Sequence, residues 1–211
     1  MRVAELTAYH LRIPLRKTIR HASYTRTDND TLVVRCRLDD GCVGWGEGLP
    51  REYVTGETID STFVTLQATD LTAQLGESFA SFEEAIAIAD RLSVASVGGN
   101  GRDCFGNAAR CAVELAFLDA AGRAHGKPLS AVTNLLAESV GIRKSQERVR
   151  YSGAITSMGR FREWMSAWKL RLNKFHQTKV KVGVEGVNDA ASLARIRRVL
   201  GKDVDIRIDA N

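Results

Sequence analysis

The chain has 211 residues, enough for one good hydrophobic core or two small ones. Its 44% hydrophobic and 26% charged content is ordinary for a soluble globular protein, and no apolar run approaches the roughly 20 residues that a membrane-spanning helix needs. The net charge of +5 is interleaved with acids and is not gathered with aromatics on one face, so nucleic-acid and membrane partners are set aside in favour of a small anionic substrate.

The N-terminus, Met1-Arg2-Val3-Ala4-Glu5, carries an early acid and no signal-type apolar stretch. Cys36, Cys42, Cys104 and Cys111 form no CxxC pair. Reduced thiols and a cytoplasmic location are therefore expected. Residues 2–13 alternate as an edge-type strand, which Pro14 is expected to end. A polar stretch, 17–30, leads to a second strand over 31–38. Asp39-Asp40-Gly41 is a hairpin signal, and a third strand returns over 42–47. Gly44, Gly46 and Gly48 at its end point to a close backbone approach.

Apolar residues recur at helical spacing over 58–75. Ser81 and Glu84 form a capping box that opens a helix towards Leu92. Residues 93–106, with four glycines, read as a loop. The strongest helix spans 107–124, with Ala109, Ala112, Val113, Ala116, Phe117 and Ala120 on one broad face, and Gly126 and Pro128 stop it. Asp119 on this helix is expected to bond backbone or an arginine.

After about residue 147 the pattern becomes strand 149–155, helix 158–172, strand 178–182, helix 188–200 and strand 204–209. Alternation of this kind implies parallel pairing through right-handed crossovers. It fits the start of a (β/α) barrel or half of an open doubly wound sheet. Trp164 and Trp168, four apart, read as helix packing.

The chemistry concentrates in the last two strands. Residues two apart on a strand share a face, so Lys179 and Lys181 project together while Val180 and Val182 pack the other way. A parallel strand covered by helices is normally apolar on both faces, so two lysines there need a reason. A lysine made partly neutral by burial and a neighbouring ammonium can act as a base near neutral pH. Asp209 lies one βα unit later at the same end of the sheet, where one carboxylate could serve as a Mg²⁺ ligand.

Several runs together resemble the N-terminal part of an enolase-superfamily enzyme of the muconate lactonizing subgroup. They are Gly41-Cys42-Val43-Gly44-Trp45-Gly46-Glu47, Pro50 to Glu57, Ala112 to Gly122, Gly126-Lys127-Pro128-Leu129, Lys179 to Gly183 and Asp209-Ala210-Asn211. The resemblance implies an α+β capping domain over residues 1–147, an antiparallel three-stranded meander with helices. The first βαβαβ units of a (β/α)₇β barrel would follow over 148–211. By the same resemblance, Lys181 is the base, Lys179 assists it, and Asp209 is the first ligand of a Mg²⁺ cofactor. Arg26, Tyr53, Thr55 and Asn211 lie at the substrate, with loops around 21–30 and 49–57 selecting it.

The implied reaction removes an α-proton from a small carboxylate substrate through a Mg-stabilised enolate. Dipeptides or N-acyl amino acids are the preferred substrates. The o-succinylbenzoate synthase and muconate cycloisomerase reactions are alternatives, and a non-catalytic binding module is the alternative of another class. Homo-oligomerisation is expected as a possibility of the same family. The remaining metal ligands and an opposite-wall lysine fall beyond Asn211 in the family pattern, so these 211 residues alone are expected to be inactive.

Overall fold

The computed structural model describes residues 1–20, 25–98, 104–141, 147–156, 159–184 and 186–210. The chain forms two compact units, Met1–Lys17 with Thr27–Arg143, and Thr18–Arg26 with Lys144–Asn211. The first unit holds most of a three-stranded sheet, β1 (Val3–Arg20), β2 (Thr25–Leu38) and β3 (Val43–Gly48), in that order, with the end of β1 and the start of β2 assigned to the second unit. The Asp39-Asp40-Gly41 turn closes β2 onto β3. Gly41 takes φ +90, and the Asp40 carboxylate accepts from the Cys42 N–H at 2.9 Å. β2 and β3 pair antiparallel from Leu32↔Gly48 to Arg37↔Val43.

Pro14 does not end the first strand, which runs on to Arg20. β1 is an edge strand of the sheet, where a residue without an N–H can face away from the ladder at no cost in pairing. The second strand likewise starts at Thr25 and not at 31.

The expected single helix over 58–75 is two helices, α1 (Ile59–Ala68) and α2 (Leu71–Leu75). The break falls at Thr69-Asp70, because the Asp70 carboxylate accepts from the Ala73 N–H at 2.9 Å and starts a new helix there. α3 (Phe82–Asp90) opens on Ser81, whose hydroxyl accepts from the Glu84 N–H. Glu84 reaches back one residue further than in a standard box, to the Ala80 N–H at 2.7 Å. α4 (Asn107–Ala124) follows, then α5 (Val132–Leu135) between two short 3₁₀ turns, Leu129–Ala131 and Ala137–Gly141.

The core of this unit joins Leu32, Val34, Cys36 and Leu38 of β2 to Phe79, Phe82, Ile86 and the alanine face of α4. β3 meets α4 almost backbone to backbone. A Cβ on Gly44, Gly46 or Gly48 would come within 2.1 Å of Ala120 N, 2.1 Å of Ala112 O and 2.0 Å of Ala108 O respectively. Only glycine opposite alanine permits that approach. Asp119 bonds both partners expected of it. Its carboxylate accepts from the Trp45 N–H on the outer edge of β3 at 3.0 Å and from Arg123 at 3.0 Å. All four cysteines are free thiols, and burial pushes the Cys36 thiol up to about 12.

The second unit is a βαβαβ run: β4 (Gly153–Ile155), α6 (Arg160–Leu172), β5 (Gln177–Val182), α7 (Asp189–Leu200) and β6 (Asp205–Ala210). The strands are parallel in the order β4-β5-β6. Ala167 and Leu170 of α6 and Leu193, Ile196, Val199 and Leu200 of α7 pack on Ile155, Val180, Val182 and Ile206. Both helices thus cover one face of the sheet. This is the winding of a barrel wall and equally of one half of a doubly wound sheet. Between the helices, the buried Glu163 accepts from Ser192 Oγ at 2.7 Å and pairs with Arg195 at 3.5 Å.

Trp164 and Trp168 do not pack into this core. They are 49% and 37% exposed and meet each other edge to face at 6.2 Å on the outer side of α6. The apolar stripe of α6 that does reach the sheet is narrow, Ala167 and Leu170, which leaves the large rings outside it. Among the described residues no helix is long and apolar enough to cross a membrane.

Candidate active site

The face of the second sheet away from α6 and α7 is polar. In β5, Thr178 and Val180 are buried towards the helices, whereas Lys179 is exposed and Lys181 half-buried on the other face. The register carries this face across the sheet in rows. One row is Ala154, Lys179 and Arg207, and the next pairs Lys181 with Asp209. The alternation that keeps valines under the helices therefore collects two amines, a guanidinium and a carboxylate on one surface. It lies towards the C-terminal ends of the strands, where sites on barrel walls are built.

The Lys179 ammonium lies 3.0 Å from Asp209 Oδ2, with the two side chains 47% and 34% exposed. Asp209 is the register partner of Lys181, so Lys179 reaches it diagonally, one row towards the strand ends. A carboxylate at this place is the donor type that Mg²⁺ takes, and Asp209 fits as one ligand of such an ion. Among the described residues no group of three or more His, Cys, Asp or Glu is placed to complete a metal shell. Arg207, which the sequence did not single out, donates from Nη2 to Ser152 Oγ at 3.0 Å. Its signal was available: it is two residues before Asp209 and so shares its face.

The other expected substrate residues lie elsewhere in the chain. Arg26 is half-buried at the start of β2. Tyr53 is exposed, and Thr55 half-buried, in the 49–57 loop. The Thr55 hydroxyl is used within that loop: it accepts from the Glu57 N–H and donates to the Arg51 carbonyl, both at 3.4 Å. Arg51 ties the loop to β2 through the Asn29 side chain at 3.1 Å and the Asp30 carbonyl at 3.3 Å. At its end Glu57, 1% exposed, accepts from the Ala108 N–H with both oxygens at 3.1 Å. α4 begins after Gly106, which has no side chain to cap it, and Glu57 supplies the missing acceptor from fifty-one residues away. Nothing in the sequence spacing signals that bond. Asn211 lies outside the described residues.

An α+β unit with a three-stranded antiparallel sheet followed by a parallel βαβαβ run is the architecture that the chain shares with the N-terminal half of enolase-superfamily structures. Residues 3–134 match the family described as mandelate racemase / muconate lactonizing enzyme, N-terminal domain, and the chain belongs to that family. It is 27% identical over 214 residues to the N-succinyl-L-Arg/Lys racemase of Bacillus cereus, covering 100% of this chain and 52% of the relative. The structure of that racemase shares its fold, with a TM-score of 0.75 at 23% identity, over 100% of this chain and 52% of the other. The L-Ala-D/L-Glu epimerase of Bacillus subtilis is 28% identical over 214 residues, covering 100% of this chain and 53% of the relative. Its substrate-liganded structure has a TM-score of 0.69 at 25% identity, over 100% and 54% of the two chains. A dipeptide epimerase from Enterococcus faecalis, solved with Mg and the dipeptide L-Leu-L-Tyr, gives a TM-score of 0.68 at 25% identity, over 100% and 54%. The chain spans about half the length of the curated relatives it matches.

Proposed function

We propose that the protein carrying this chain is a racemase or epimerase of dipeptides or N-acyl amino acids that works by removing the α-proton. Residues 1–147 would form its capping domain, and residues 148–211 the first wall of its barrel. One observation carries this reading. Lys179 and Lys181 stand on the open face of β5 with Asp209 in register beside them, and the Lys179 ammonium is 3.0 Å from the Asp209 carboxylate. The relatives support the substrate class, since their names are those of N-succinyl amino acid racemases and dipeptide epimerases.

In this reading Lys181, as the free amine, takes the α-proton from one face of the substrate's α-carbon. Removal of that proton moves negative charge onto the carbonyl oxygens. The Lys179 ammonium stands one layer below and adds positive charge to the site where that charge grows. Asp209 would hold Mg²⁺, which when bound supplies Lewis-acid stabilisation of the same oxygens. Reprotonation from the opposite face inverts the centre. Arg26, Tyr53, Thr55 and Asn211 are proposed as substrate-facing residues on the family resemblance.

Proton exchange tests the assignment without waiting for net turnover. In heavy water the parent protein should wash deuterium into the α-position of L-Ala-L-Glu or N-succinyl-L-arginine. Lys181→Ala should lower exchange by about 10²-fold or more for the stereoisomer whose α-proton faces Lys181. Lys179→Ala should slow exchange and leave a residue of activity. Near-parental exchange of both stereoisomers by Lys181→Ala would remove Lys181 as the base.

A further inference from the structure

We propose that Arg207 is a positioning residue for Lys179, a role that rests on the reading of Lys179, Lys181 and Asp209 as the site. Lys179 and Arg207 are direct register partners on the open face. Like charges placed opposite each other on neighbouring strands repel. The two side chains resolve this by leaving the row in opposite directions. Lys179 turns towards the C-terminal ends of the strands and pairs with Asp209 Oδ2 at 3.0 Å. Arg207 turns the other way, and its Nη2 donates to Ser152 Oγ at 3.0 Å.

Ser152 directly precedes β4, and β5 lies between β4 and β6. The bond therefore crosses two strand spacings, about 9.6 Å. The guanidinium can span that distance only by lying across β5. Its path runs beneath Lys179, on the side of Gln177. Ala154, the third member of the Lys179 row, is short enough to leave that path open.

A second carboxylate gives this arrangement its purpose. Asp205 is two residues before Arg207, on the same face of β6, and pairs in register with Gln177 one row below Lys179. Lys179 thus has one carboxylate above it and one below. Arg207 fills the space between Lys179 and Asp205 with a fixed cation, so the ammonium is held up at the end of the sheet where Asp209 lies. Arg207 touches no reacting atom in this account. It acts by denying Lys179 the lower row.

The test uses the whole protein with N-succinyl-L-arginine and L-Ala-L-Glu as probes. Arg207→Met opens the lower row to Lys179. It should lower kcat by about tenfold or more, with KM within about twofold, since a displacement near 1 Å can cost up to a hundredfold. Adding Asp205→Asn removes the competing carboxylate and should restore most of the lost kcat, a rescue that a merely structural role would not produce. Ser152→Ala frees the guanidinium but keeps its charge and the fold, and should give a smaller loss of kcat in the same direction. Unchanged kcat in Arg207→Met, failure of Asp205→Asn to restore it, or, where Arg207→Met does not fold, unchanged kcat in Ser152→Ala overturns the proposal. Lys181→Ala, run alongside for deuterium exchange, separates the two readings. If Lys181→Ala loses exchange and the Arg207 arms keep kcat, the positioning role alone fails. If Lys181→Ala keeps exchange, both fall.

Discussion

The first unit seals its sheet with backbone, and the second seals its sheet with side chains. In the first, three glycines of β3 lie against Ala108, Ala112, Ala116 and Ala120 of α4, and the nearest atoms to any added Cβ there are main-chain N and O. In the second, Gly153 of β4 also lies under a helix, but the atoms nearest an added Cβ are the methyls of Leu170 at 2.4 and 2.6 Å. A leucine tip can rotate away, and a helix backbone cannot. The same residue type therefore carries very different energies in the two regions. The second unit also leaves one sheet face open and polar, and that is where its charged groups gather.

The same substitution in both places breaks the comparison most sharply. Gly46→Ala puts a methyl 2.1 Å from Ala112 O and should cost at least about 3 kcal/mol, or prevent folding. Gly153→Ala should cost about 1 kcal/mol, because Leu170 repacks. Urea melts of the two variants would show it, and equal losses would mean that β3 and α4 can separate more freely than the packing implies.

Glu57 comes next in size. Glu57→Ala leaves the Ala108 N–H at the start of α4 without its acceptor, in a place 1% exposed at Glu57. The expected loss is about 1–3 kcal/mol by denaturant melting. Hydrogen exchange should show the Ala108 amide and the 49–57 loop losing protection together.

The smallest effect is a pH dependence. Glu5, on β1, has its carboxyl held below the usual glutamate range, first by its hydrogen bond with Arg37, then by that with Thr7 and by the charges of Arg35 and Arg37. A carboxyl held low in the folded state adds stability above its unfolded pKa and loses it as pH falls through the lowered value. Between pH 7 and pH 3 the parent should therefore lose slightly more melting temperature than Glu5→Gln. Parallel melting curves across that range would show that the Glu5–Arg37 pair contributes nothing.

Much of this was legible in the chain. The Asp40-Gly41 turn, the alternate glycines of β3, and the alanine face and glycine stop of α4 are local signals, and local rules govern them. The shared face of Lys179 and Lys181 follows from a period of two, and the register then brings Asp209 beside them. Most of what could not be read depended on neighbours distant in sequence. Pro14 fails to end β1 because that strand is outermost, which depends on sheet order. The break at Asp70 is a competition between a side chain and the helix backbone that apolar periodicity does not register. The Glu57 cap joins residues fifty-one apart, and the Arg207–Ser152 bond joins residues fifty-five apart. Trp164 and Trp168 have helical spacing, but spacing alone does not say which side of a helix meets the sheet.

Asp119 has a consequence of another kind. β3 is the other outer strand of the first sheet, and an outer strand with free N–H groups is a template on which a neighbouring molecule can add a strand. The Asp119 carboxylate occupies the Trp45 N–H and brings a paired arginine with it, so that position offers a passing strand two charges and no free backbone N–H. Loss of the carboxylate would uncover that N–H, and the expected result is strands joining between molecules at high concentration, below the temperature at which any one molecule unfolds.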